Sequence, residues 1–196
     1  MVPDSALTGA LLKADELDTI MGTSGMTPHN PVTQMGDHRN LLPNLNCLGV
    51  WQVNEAPIYE SSHWKSVRQQ LVRVPDDDNW SYLVVQSVVS YRTAVGAREF
   101  FTESADRWSK CTNHTLNIQL NGQVLPKWVS GDLTKTDNRL ALPYTRSSGD
   151  QTRSCQRVLQ VVANLILDLQ ACKPQQQAAM TAAADVANKI VAKLPR

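Results

Sequence analysis

Residues 155–172 read CQRVLQVVANLILDLQAC, and the way this stretch folds decides the architecture. Its midpoint falls between Ala163 and Asn164. A two-residue turn there, with Asn164 at positive φ, sets Val162 against Leu165, Val161 against Ile166 and Cys155 against Cys172. Counted outward from the turn, the cysteines take a non-hydrogen-bonded position, where side chains of antiparallel strands approach most closely. A single straight strand would hold the two sulfurs on the order of 50 Å apart. The hairpin and a Cys155–Cys172 bridge therefore support each other. A helix over 155–163 followed by a strand is the rival reading, since Ala-Asn is a weaker turn than Asn-Gly.

Alternation along the hairpin separates two faces. Val158, Gln160, Val162, Leu165, Leu167 and Leu169 share one, suited to packing under helices. Arg157, Leu159, Val161, Ile166, Asp168 and Gln170 share the other. A mixed face of this kind suits a ligand cleft, in which a few polar groups fix orientation; it equally suits a half-solvated sheet. Gln86 and Ser90, on a neighbouring strand, are expected to join Arg157, Asp168 and Gln170 there as candidate ligand-binding residues.

Outward from the hairpin, residues 80–91 (WSYLVVQSVVSY) form the clearest strand, with Leu83, Val85, Val89 and Tyr91 on its more apolar face. Thr93 offers an N-cap for a helix over 94–109, whose Ala97, Phe100, Phe101, Ser104 and Trp108 fall at helical spacing. Asn121-Gly122 marks a hairpin between strands 114–120 and 124–130. Further strands are expected at 47–53 (CLGVWQV), 67–74 and 139–146. A helix over 7–22 stops at Gly22, and an Ala-rich helix runs from Pro174 to Leu194. Residues 23–46 hold Pro28, Pro31 and Pro43 without a period, which predicts a long irregular loop, a candidate mobile rim. The order gives an α+β class: one domain over 1–196, an antiparallel β-sheet with helices packed on one face.

The chain has 196 residues, 42% of them hydrophobic, 19% charged, with a formal net charge of +1. Low charge and this apolar content argue against disorder. Near-neutrality removes the electrostatic case for a nucleic-acid binder. No run of ~18 apolar residues is present to span a bilayer, and no signal peptide is visible at the start. The remaining cysteines, Cys47 and Cys111, pair by elimination, and two bridges imply an oxidising compartment. Four buried thiols in a cytosolic protein is the alternative.

Motifs for catalysis are absent: there is no GxSxG, P-loop, GxGxxG or HExxH. No catalytic residue, metal site or cofactor is expected. Asp76-Asp77-Asp78 lacks the alternation and closing Glu of a calcium loop and reads as a solvated turn. His29, His38, His63 and His114 are scattered. Asn113-His114-Thr115 is a glycosylation-type sequon whose content is a surface loop.

Several stretches together resemble the PknH-like extracellular domain family of mycobacteria. They are LLKADELDTIMG at 11–22, CLGVW with Ala56-Pro57-Ile58-Tyr59, VVQSVVSYRTAVGAREFF at 84–101, Trp108 with Cys111, the 155–172 block and the final Ala-rich helix. Lys13-Ala14 departs from the Thr-Pro expected to open the first helix. The resemblance implies a domain outside the cell membrane, in the cell envelope, with two intramolecular disulfides and a cleft for an unidentified ligand. It implies no catalysis within this stretch. A serine/threonine kinase and one membrane helix would precede it in the parent chain, and homodimerisation is a possible signalling step. The family also occurs in secreted lipoproteins, so an envelope interaction domain working through protein partners or self-association is the alternative. A hydrolase of the envelope has no motif in its favour.

Overall fold

The structure, a computed structural model, describes residues 1–195. In chain order its helices are α1 (Leu7–Ala10), α2 (Ala14–Met21), α3 (Leu45–Trp51), α4 (Ala56–Tyr59), α5 (Ala94–Ser109) and α6 (Ala182–Lys193). Its strands are β1 (Thr27–Pro28), β2 (Ser66–Val74), β3 (Tyr82–Ser90), β4 (Thr115–Leu116), β5 (Gln119–Leu120), β6 (Gln123–Val124), β7 (Lys127–Ser130), β8 (Thr134–Lys135), β9 (Arg139–Ser148), β10 (Gln151–Val162) and β11 (Leu165–Pro174). A nine-stranded sheet runs β1-β2-β3-β11-β10-β9-β7-β4, with β8 on β9. Every pairing in it is antiparallel.

The 155–172 hairpin forms in the expected register, with Val162 opposite Leu165 and Cys155 opposite Cys172. The two cysteine Cα atoms stand 4.1 Å apart, the close spacing of a non-hydrogen-bonded pair, and the bridge is made. Cys47–Cys111 forms the second disulfide and ties α3 to the end of α5. The turn differs in one respect: positive φ falls on Ala163, at 51°, and not on Asn164. Asn164 is committed elsewhere. Its Oδ1 accepts from the Val2 N–H at 2.7 Å, and its Nδ2 donates to the Val2 and Tyr91 carbonyls.

Helices cover both faces of the sheet, where the sequence predicts one. On the first face Leu83, Val89, Leu140, Leu142, Leu159 and Ile166 are buried with residues of α3, α4 and α5. On the second Val84, Val88, Val158, Leu165, Leu167 and Leu169 are buried with α1, α2 and α6. The central strands β3, β11 and β10 are sandwiched, which turns both of their side-chain sets into core and makes their sequences apolar on both faces.

Several local expectations change. The 47–53 stretch is helical over α3 rather than extended. Asn44 caps it by accepting the Asn46 N–H, and Cys47, Leu48 and Val50 face the core. A short apolar run does not distinguish a strand from a buried helical turn. The first helix is broken at Leu11–Lys13, where Leu12 leaves the helix and pairs with the Gln86 side chain. The last helix begins at Ala182; Pro174 instead closes β11. The 23–46 segment is not a free rim. Thr27 and Pro28 pair with β2, Val32 bridges Gln69, and Gly36 bridges Glu55, so the segment covers the β2 edge.

Candidate functional site

The α5 face leaves one end of the sheet open. Strand alternation there points Leu83 and Val85 of β3, Gln170 of β11, Tyr144 and Arg146 of β9 and Trp128 of β7 to the same side. Trp51 and Gln52, at the C-terminal end of α3, form one wall of the resulting cleft, and Leu125 and Pro126, entering β7, form the other. The cleft has a volume of about 220 Å³. Its lining mixes the Trp51, Leu83, Val85, Leu125, Pro126 and Trp128 side chains with the polar Gln52, Gln170 and Arg146. Apolar side chains for a ligand body stand there beside polar groups that could orient it, the two kinds of surface a small-molecule site combines.

The α3 wall is braced from beneath by Arg157 and Asp168. Arg157 is fully buried. Its guanidinium donates to the Val50 carbonyl at 2.9 Å and the Gly49 carbonyl at 2.7 Å, so it caps the carbonyl end of α3, where a cation is also favoured by the helix dipole. It further donates to the Leu169 carbonyl and lies 5.3 Å from the centre of the Trp108 ring. Asp168 meets the guanidinium at 2.7 Å as an ion pair. Its other oxygen accepts the Asn54 N–H and the Tyr59 hydroxyl. Burial, and secondarily the Asp168 charge, pushes the Tyr59 hydroxyl well above its ordinary pKa, so it stays a donor.

The five residues expected to share a ligand-binding face therefore divide. Gln170 lines the cleft. Arg157 and Asp168 are on the same face but under the wall, with their polar atoms engaged by protein groups rather than presented to a ligand. Gln86 and Ser90 are on the opposite face. Gln86 is opposite Leu169 and Ser90 opposite Leu165 in the register, which places both with the α6 side. Gln86 clasps the Leu12 backbone through both amide atoms, and Ser90 donates to Asp4. Alternation within β3 was readable; which β3 face meets which β11 face depends on a register that no sequence pattern encodes.

Trp51, Leu125, Trp128, Tyr144 and Arg146 are cleft residues that sequence reasoning passed over. Gly149-Asp150 is a two-residue connection between β9 and β10, with Gly149 at φ 56°. Read as a turn, it would have paired Arg146 with Arg153. Among the described residues no group of three or more His, Cys, Asp or Glu side chains is placed to hold a metal. His29 and His38 are each paired with a single carboxylate, Asp76 at 2.7 Å and Glu55 at 2.5 Å.

Residues 2–193 match the family model described as the PknH-like extracellular domain. The serine/threonine-protein kinase PknH of Mycobacterium bovis is 28% identical over 193 residues, 98% of this chain and 31% of that protein. PknH of Mycobacterium tuberculosis gives 28% over 98% of this chain and 30% of its own length. The chain thus spans less than a third of these relatives. A crystal structure of the extracellular domain of PknH from Mycobacterium tuberculosis superposes with a TM-score of 0.87 at 28% identity, covering 98% of this chain and 96% of that one. The family match over nearly the whole chain and the superposed fold agree on one assignment: this chain belongs to the PknH-like extracellular domain family.

Proposed function

We propose that this domain is the ligand-sensing part of a transmembrane serine/threonine protein kinase, and that its ligand enters the cleft between α3 and the β6–β7 connection. The observation that carries the reading is the cleft's construction. A hollow of mixed apolar and polar lining stays open beside Gln170 and Arg146, and a buried ion pair braces its α3 wall. The kinase is taken from the relatives' names, and the extracellular side from the family. A ligand can alter kinase output only by binding two states of the receptor with different affinity, such as monomer and dimer.

The test is a thermal-shift screen of the non-reduced domain against fractions of mycobacterial envelope, run beside Trp51→Ala. A ligand present at 100 times its Kd adds about 2.7 kcal/mol, which raises Tm by several degrees in a domain of this size. A shift in the parent domain that disappears in Trp51→Ala supports the reading. No shift from any fraction would sink it, and light scattering for self-association becomes the next measurement.

A further inference from the structure

We propose that the cleft takes an anionic amphiphile, and that Arg146 binds its phosphate or carboxylate group while the apolar body occupies the space between Trp51, Val85, Leu125 and Trp128. The proposal rests on the cleft being the ligand site.

Arg146 stands out among the shielded arginines. Arg73 pairs with Asp76, Arg139 donates to Gln160 and Asn188, Arg153 to the Trp80 carbonyl and Gln151, and Arg157 to α3 and Asp168. Among the described residues nothing accepts from the Arg146 guanidinium or forms an ion pair with it. Its cross-strand neighbour is a second cation, Arg153. Both guanidinium groups lie against the Trp80 ring, at 5.1 Å and 4.4 Å from its centre. Burial lowers the pKa of Arg146, and burial with the charge of Arg146 lowers that of Arg153. Two desolvated cations side by side with no carboxylate paired to Arg146 repel each other, and a bound anion relieves that cost.

Arg146 also sits at a junction. With Pro126 it borders both the cleft and an adjoining polar hollow of about 350 Å³ between the 78–80 turn and the 148–151 turn. Asp78 and Asp150 line that hollow, but neither forms an ion pair with Arg146; Asp78 is paired with Arg73. Trp128, directly opposite Arg146 in the β7–β9 register, sets ring surface beside the guanidinium. The cleft thus offers a guanidinium without a protein acceptor beside the Trp51, Val85, Leu125 and Trp128 side chains. Guanidinium geometry matches a two-oxygen group such as carboxylate or phosphate.

Calorimetry on the oxidised domain tests this with octyl phosphate, octanol and octyltrimethylammonium, each below its micelle concentration, and with phosphatidylglycerol vesicles. Octyl phosphate is expected to bind at least tenfold tighter than octanol, as a charge-assisted hydrogen bond supplies, and octyltrimethylammonium not at all. Arg146→Gln removes the preference, Arg146→Lys keeps part of it, and Arg92→Gln, an exposed arginine, leaves it unchanged. Binding to vesicles alone, if lost in Arg146→Gln, assigns the anion to a lipid headgroup; binding of free octyl phosphate assigns it to a soluble amphiphile. Equal affinity for octanol and octyl phosphate, or a preference that survives Arg146→Gln in a variant with unchanged Tm, overturns the proposal. An envelope-fraction shift retained in Arg146→Gln but lost in Trp51→Ala would overturn the anion site alone and leave the cleft reading in place.

Discussion

The two faces of the sheet solve the same burial problem differently. The α6 face is sealed by small-residue packing: Ala182, Ala183, Val186, Ala187 and Ile190 lie against valines and leucines of the central strands. Its buried polar side chains act as clasps for the N-terminal segment, Gln86 on Leu12, Asn164 on Val2 and Ser90 on Asp4. The α5 face carries both disulfides and the buried Arg157–Asp168 pair, and it keeps a cleft. Close-packed apolar surface holds itself together. A face that keeps a cleft gives up part of that contact, and covalent and ionic braces stand in for it. The bracing is concentrated on α3, a seven-residue helix too short to persist by itself.

The largest expected effect follows from removing the brace. Arg157→Met leaves Asp168 as an uncompensated buried carboxylate and uncaps α3; breaking a buried pair in this way costs about 3–5 kcal/mol. Replacing both partners, Arg157→Met with Asp168→Leu, is expected to recover much of that loss in urea unfolding, because no lone charge remains. Amide exchange at Val50–Val53 should nonetheless stay faster than in the parent, since the α3 carbonyls still lack their donor. A single-variant cost below about 1 kcal/mol would show that the α5 face does not depend on this pair.

The disulfides come next. Cys47–Cys111 closes a separation of 64 residues and Cys155–Cys172 one of 17. The chain-entropy treatment assigns them about 4 and about 3 kcal/mol. The context widens that gap. Cys155 and Cys172 join strands already paired over ten positions, whereas Cys47 fastens a short helix to α5. Calorimetry should therefore find a larger fall in Tm for Cys47→Ala/Cys111→Ala than for Cys155→Ala/Cys172→Ala. The reverse order would place the weight of the α5 face on the hairpin rather than on α3.

Much of this was legible where local chemistry and global fold agree. The hairpin centre, the Thr93 cap of α5, the Gly22 stop and the Asn121-Gly122 turn all appear as read. What escaped depends on non-local pairing. Leu48 and Val50 are equally apolar in a strand or a helix, and the choice rests on the Asn44 cap and a bridge to a residue far along the chain. The parity of Gln86 was right within β3, but its face is set by pairing with Leu169. The cleft was half visible. Gln170 was found through its polarity on an apolar strand, while Trp128 and Arg146 read only as strand residues until the register set them side by side.

The smallest effect tests the clasped face through pH. Asp4 accepts from Ser90 at 2.8 Å and Ser66 at 3.0 Å and pairs with Lys65 at 3.0 Å. Burial opposes ionisation there, but the hydrogen bonds from Ser90, Lys65 and Ser66 outweigh it and hold the carboxyl below its ordinary value of 3.8. A depressed pKa in the folded state means that the contribution is complete above 3.8 and fades as pH falls through the lower folded value. Glu16, Asp37 and Asp76 are lowered as well, so the parent domain loses stability from several sites in acid. The difference between parent and Asp4→Asn isolates one of them. Between pH 5 and pH 3 the parent Tm should fall further than that of Asp4→Asn, and the two curves should converge at the acid end. Parallel curves would mean that the N-terminal segment is held by Asn164 and Gln86 alone, with the Asp4 carboxylate contributing nothing to the closure of the α6 face.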